Sequence, residues 1–159
     1  MELQDGNDCS LELTFNRRWK HVSVIRSFVQ NFLGVNLPEG SQTTPERVAM
    51  AVSELMENAV KYSSGEGIKA CFSVSTKASP LLQVSIENKA DLASIDAVQK
   101  LYSRVIAGDS LETYLEMMRE AATRGDGKSQ LGLVRIRHES GCRLGLSTNS
   151  DTVRFTLEL

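Results

Sequence analysis

The chain has 159 residues, 41% of them hydrophobic and 24% charged, with 18 Lys and Arg against 20 Asp and Glu. That length supplies one domain with a substantial core. A net charge of -2 gives no global attraction to nucleic acid or a membrane surface, so any phosphate chemistry must come from a local site.

Residues 1–9 are polar and read as a flexible terminus, with neither a basic n-region nor an apolar h-region. Residues 10–159 then form a single domain. Leu11, Leu13 and Phe15 alternate with Glu12 and Thr14, the period of a strand. From Trp19 to Leu33 the apolar residues recur at helical spacing, and Gly34 is the expected stop. Thr43-Thr44-Pro45-Glu46 opens a second helix with a hydroxyl cap, an early proline and an acid in the first turn. It runs to Tyr62, with Val48, Val52, Leu55, Ala59 and Tyr62 as its core stripe. Ala51, Glu54, Asn58 and Lys61 line the neighbouring stripe, where a pocket wall would form.

Ile68 to Ser75 and Leu82 to Ile86 read as an antiparallel hairpin. Leu92 to Val105 supports a helix that stops near Gly108. Asp109-Ser110-Leu111-Glu112 resembles a capping box for the next helix, whose apolar face is Leu111, Tyr114, Leu115, Met118 and Ala122. Gly125-Asp126-Gly127-Lys128-Ser129 breaks that helix, a short one follows from Gln130 to Glu139, and Arg143–Ser147 with Thr152–Leu159 closes as a second hairpin. The expected fold class is α+β, a two-layer sandwich with a mixed, mostly antiparallel sheet covered on one face by helices.

Glu54 and Asn58, four residues apart, share a helix face. Asn supplies a neutral oxygen to a hard cation, and Glu accepts a proton or orients water. Spacing alone favours an ordinary polar flank. His21 and His138 have no partner at ligand spacing, and no zinc site is indicated. Arg17, Arg18, Trp19 and Lys20 form too small a basic cluster to predict a nucleic-acid partner. Met117, Met118 and Tyr114 are expected against the sheet. Cys9, Cys71 and Cys142 have no CxxC spacing and read as free thiols of a reducing compartment. With no apolar run of membrane-spanning length, a cytoplasmic protein is expected.

The order of these segments, with Glu54-Leu55-Met56-Glu57-Asn58-Ala59-Val60-Lys61-Tyr62 on the second helix, resembles the GHKL (histidine-kinase-type) ATPases, in the branch of the anti-sigma-factor serine kinases. The resemblance spans residues 10–159 and implies a Bergerat-type ATP-binding fold with ATP and magnesium as cofactors. It makes Asn58 the magnesium ligand and Glu54 the general base. Gly125-Asp126-Gly127-Lys128-Ser129-Gln130-Leu131-Gly132-Leu133 is similar to the family's second glycine box, a lid leading into a helix beside the phosphates. Gly127 permits unusual backbone angles, Gly132 permits close approach to ligand, and Leu133 continues the motif. Helix N-terminal amides would favour phosphate oxygens, with Lys128 as a mobile cation. Lys61 is a further candidate contact, although a solvated lysine at the helix end is the plainer reading.

The first glycine box departs from the pattern. Val84-Ser85-Ile86-Glu87-Asn88-Lys89-Ala90 places Asn88 where the family has an adenine-recognising Asp, and Ala90 where it has Gly. A neutral amide is a weaker acceptor than a carboxylate. The resemblance implies a serine kinase acting on a small antagonist-type partner, with dimerisation through the first strand and helix. The altered box supports an alternative: a degenerate member that binds a partner with weak or no ATP turnover.

Overall fold

Alternating burial builds the sheet. In the computed structural model, which describes residues 9–75, 77, 81–124 and 130–159, five strands run in chain order: β1 Cys9–Asn16, β2 Gly67–Val74, β3 Leu82–Lys89, β4 Arg143–Thr148 and β5 Thr152–Glu158. They lie in the spatial order β1-β2-β3-β5-β4. Every pairing is antiparallel. The α+β, two-layer architecture is as expected from the sequence, and the sheet contains no parallel pair among the described residues.

One sheet face is the core floor. Ile68, Ala70, Phe72 and Val74 of β2, Leu82, Val84 and Ile86 of β3, and Val153, Phe155 and Leu157 of β5 are all buried on it. The opposite face is polar and carries cross-strand ion pairs, among them Lys69–Glu12 at 3.1 Å and Arg154–Glu87 at 2.5 Å. This is the inward-apolar, outward-polar division of an antiparallel sheet with one solvated side. The register breaks the pattern at one place. Phe15, Ile68, Asn88, Val153 and Thr148 form a single cross-strand row, so Asn88 stands between Ile68 and Val153 on the core face.

Five helices join the strands: α1 Trp19–Asn36, α2 Pro45–Tyr62, α3 Leu92–Ile106, α4 Ser110–Arg124 and α5 Leu131–Glu139. Gly34 does not end α1 as the sequence suggested. The helix continues to Asn36, and the Leu37 amide still donates to the Leu33 carbonyl. A solvent-facing glycine costs only about 1 kcal/mol in a helix interior, and it is Pro38 that prevents further turns. In α2, Thr44 caps the first turn by accepting from the Arg47 amide, as expected. This helix is buried over most of its surface, Met50, Met56 and Ser53 included, because α1 covers one side and the sheet another. Tyr62, assigned to its core stripe, is instead 60% exposed.

The sequence reading of α4 is also corrected. Leu111, Leu115 and Met118 are exposed, whereas Met117 and Thr113 are buried. The helix packs on α5 and α3 rather than on the sheet, and that rotates its buried stripe onto Thr113 and Met117. Asp109 caps it, accepting from the amides of Leu111 and Glu112.

Candidate functional site

A cleft of about 440 Å³ opens between α2, α3, the start of α5 and the ends of β3 and β5. Its size falls in the range of small-molecule sites. Leu55, Ala59, Val98, Leu133 and Phe155 give it an apolar lining, and Asn58, Asn88 and Asp91 supply polar groups. Asn88 reaches the cleft because the pleat turns it to the core face. There it is 8% exposed, and its Nδ2 donates to the Lys89 carbonyl at 3.0 Å. That bond leaves Oδ1 as the acceptor available to a ligand. Asp91 caps α3 by accepting from the Ser94 amide, and those backbone N–H bonds hold its carboxyl below the usual range.

Asn58 lies in the cleft wall one turn beyond Glu54. Among the described residues nothing hydrogen-bonds its carboxamide. Gly132, the second residue of α5, faces the same wall at very close range. A Cβ on Gly132 would stand 2.8 Å from Glu54 Oε2 and 3.8 Å from Asn58 Nδ2. A side chain at this position would push the Glu54 carboxylate aside. The other carboxylate oxygen, Oε1, accepts from Arg135 Nη1 at 3.2 Å. Arg135 also donates through Nε to Glu139 Oε2 at 3.0 Å, and Glu139 Oε1 accepts from the Tyr114 hydroxyl at 3.2 Å. Those partners, Glu139 first, raise the pKa of the Arg135 guanidinium.

The structure therefore unites Asn58, Asn88, Gly132 and Leu133 in one cleft wall, with Glu54 directly behind Gly132. Lys61 is not in that wall. Although it shares the α2 stripe of Glu54 and Asn58, its ammonium reaches back toward Glu57 at 4.0 Å and lies 5.6 Å over the Trp19 ring. Gly127 and Lys128 lie outside the described residues. Sequence reasoning did not single out Arg135 or Asp91. The capping signal at Asp91 was legible, and Arg135 stands at helical spacing from Glu139. Its approach to Glu54, 81 residues away, was not.

The other candidates have local partners. Arg17 donates from its side chain to the Ser63 carbonyl and from its backbone to Glu66, tying down the end of α2. His21 bonds the Asn16 carbonyl, and His138 stacks on Tyr114. Burial pushes the Cys142 thiol up to about 11 and also raises that of Cys71, so neither is a thiolate nucleophile near neutrality. Among the described residues no group of three or more His, Cys, Asp or Glu side chains could hold a metal. A magnesium ion needs no such cage, since it is commonly bound by one or two protein ligands together with water and substrate phosphates. A single Asn58, in the cleft wall, fits that mode.

Comparison with known proteins locates the fold. No family model and no curated protein matches the chain. Among solved structures the chain is similar to one in "The crystal structure of SiaB-SiaC complex from Pseudomonas aeruginosa", with a TM-score of 0.65 over 94% of this chain and 89% of that one. The fold is shared. At 14% identity the likeness extends to the fold alone. No described helix is long and apolar enough to cross a membrane.

Proposed function

We propose that the cleft binds Mg–ATP and that the protein is a regulatory serine kinase of the GHKL, anti-sigma-factor type, acting on a small antagonist-type partner. One observation carries the reading. Three segments far apart in sequence, around Asn58, Asn88 and Gly132, converge on a single cleft with Glu54 at its edge. The apolar lining suits a purine, and Asn88 Oδ1 accepts from an exocyclic amine. Asn58 Oδ1 would hold a magnesium ion, which when bound would supply charge neutralisation for the phosphates. α5 begins at the cleft, and a helix N-terminus favours phosphate oxygens.

In the transfer step the seryl oxygen attacks the γ-phosphorus, the bond to the bridging oxygen breaks and ADP leaves. Glu54 takes the seryl proton. The likeness to a chain from a two-protein complex supports a partner-binding role. β1 is an edge strand, and Val24 on the adjoining α1 is exposed, which supports a dimer through these elements.

A second reading, a partner-binding module with weak or no turnover, is favoured by Ala90. It is buried in the cleft lining at the position where the family has glycine, and its methyl group narrows the base end. Thermal melts with ATP and ADP, each with and without magnesium, separate the two. A magnesium-dependent rise in melting temperature supports the nucleotide site. No shift at millimolar nucleotide would leave the partner-binding module. Glu54→Gln should keep the shift and lose phosphotransfer.

A further inference from the structure

The carboxylate assigned as the base is held in place from another helix. Glu54 is bonded through one carboxylate oxygen, and the other faces Gly132. Oε2 lies against the Gly132 backbone, where a Cβ would come within 2.8 Å. Oε1 accepts from Arg135 Nη1 at 3.2 Å. Arg135 is braced in turn, its Nε bonded to Glu139, which accepts from Tyr114 of α4. The Glu54 side chain is 24% exposed and that of Arg135 44%, so the pair is open to solvent beside the cleft residue Gly132. Lys61 points elsewhere, toward Glu57 and Trp19.

We infer that Arg135 is the positioning residue of Glu54. Anchored by Glu139, it fixes the direction of the Glu54 carboxylate, so that Oε2 stays beside Asn58 and Gly132 and can receive the proton of the attacking hydroxyl. Arg135 touches neither nucleotide nor phosphoacceptor in this role. Its effect passes through Glu54 alone. The inference rests on the Mg–ATP reading above and adds to it a residue 81 positions away in sequence from the base. An arginine suits the task better than a lysine. Its planar fork presents Nε to one carboxylate and Nη1 to another in fixed relative directions, whereas an ammonium on a flexible stem does not.

The test measures basal phosphate release from Mg–ATP, with water in place of the seryl hydroxyl, alongside binding of a fluorescent ATP analogue. Wild type, Arg135→Gln, Arg135→Lys, Glu54→Gln and the Glu54→Gln/Arg135→Gln double variant are compared, with melting temperatures to verify folding. Arg135→Gln should lower kcat by about 10- to 100-fold, the scale of a misplaced catalytic group. KM for ATP and analogue affinity should stay within about two-fold of wild type, since only groups that bind the ground state change them. Arg135→Lys should recover part of the rate. In the Glu54→Gln background, Arg135→Gln should change nothing further, the sign of two residues acting as one unit.

An equal loss of rate in both backgrounds would overturn the assignment, because Arg135 would then act without Glu54. A weakened KM and analogue affinity with unchanged kcat would also overturn it and make Arg135 a phosphate contact. Binding without turnover in wild type would overturn it while leaving the nucleotide site standing. Absence of binding in wild type would remove the Mg–ATP reading itself.

Discussion

On the proposed Mg–ATP reading, replacing Gly132 with alanine should leave the fold nearly as stable as before and remove most phosphotransfer. The new methyl carbon would stand 2.8 Å from Glu54 Oε2 and 3.7 Å from its Cδ. To reach an ordinary carbon–oxygen separation the carboxylate must retreat by about 0.5 Å or more. It is held on its other oxygen by Arg135 at 3.2 Å, so retreat disturbs that pair. The lost pair is partly exposed, 44% for Arg135 and 24% for Glu54, and is worth about 0.2–1 kcal/mol. Against this, alanine gains up to about 1 kcal/mol over glycine in a helix, and Gly132 carries no positive φ that would oppose the change. The two terms are of similar size and opposite sign. The melting temperature should therefore move by no more than about 4 °C in a domain of this size. The rate should respond differently, because a displaced catalytic group costs about 10- to 100-fold. Phosphate release at saturating Mg–ATP and a thermal melt on the same sample provide the assay. A variant with the wild-type rate would refute the placement of Glu54 behind Gly132. A loss of more than about 3 kcal/mol would show that the glycine serves the backbone and not the site.

Other outcomes follow from the core and its titrating groups. Ser53 Oγ is buried with no hydrogen-bond partner among the described residues, so Ser53→Ala should be neutral or stabilising by about 1 kcal/mol. Denaturant melts showing a loss above about 1 kcal/mol would reveal a bond that the hydroxyl makes through water. Phe72 is 1% exposed and meets Phe28 edge-on at 6.4 Å, so Phe72→Ala should cost about 3–5 kcal/mol, measurable by urea unfolding. The Cys142 thiol has an ordinary value of 9.0, raised by burial to about 11 in the folded chain. The unfolded chain therefore loses this proton first. Stability owed to the neutral thiol is complete below about 9 and is lost as pH rises toward 11. The gap in stability between wild type and Cys142→Ala should shift against wild type over that window and stay constant between pH 6 and 8. A gap that did not change above pH 9 would place the thiol in solvent.

Local chemistry made most elements legible in the sequence. Thr44 and Pro45 mark the start of α2, Asp109 the start of α4, and the alternation from Ile68 to Val74 marks a strand. Each signal depends only on residues within a turn or two. Errors arose where neighbours in space, not in sequence, decide burial. α4 has apolar residues on more than one side, and its packing on α5 and α3 buries Met117 while leaving Leu111, Leu115 and Met118 outside. Tyr62 continued the α2 stripe on a helical wheel, yet it lies beyond the part of α2 that is covered.

The candidate site divides in the same way. Its members could be named individually in the sequence: Glu54 and Asn58 by their spacing, Asn88 at the end of a strand, and Gly132 by its lack of a side chain. Whether they meet was decided by the pleat that turns Asn88 inward and by the close approach of α5 to α2 at Gly132. The same approach brings Arg135 to Glu54, whereas the Lys61 ammonium turns away toward Glu57 and Trp19. Residue chemistry sets what each group can do, and it is local. Distance between groups depends on how whole elements pack, and only the tertiary structure settles that.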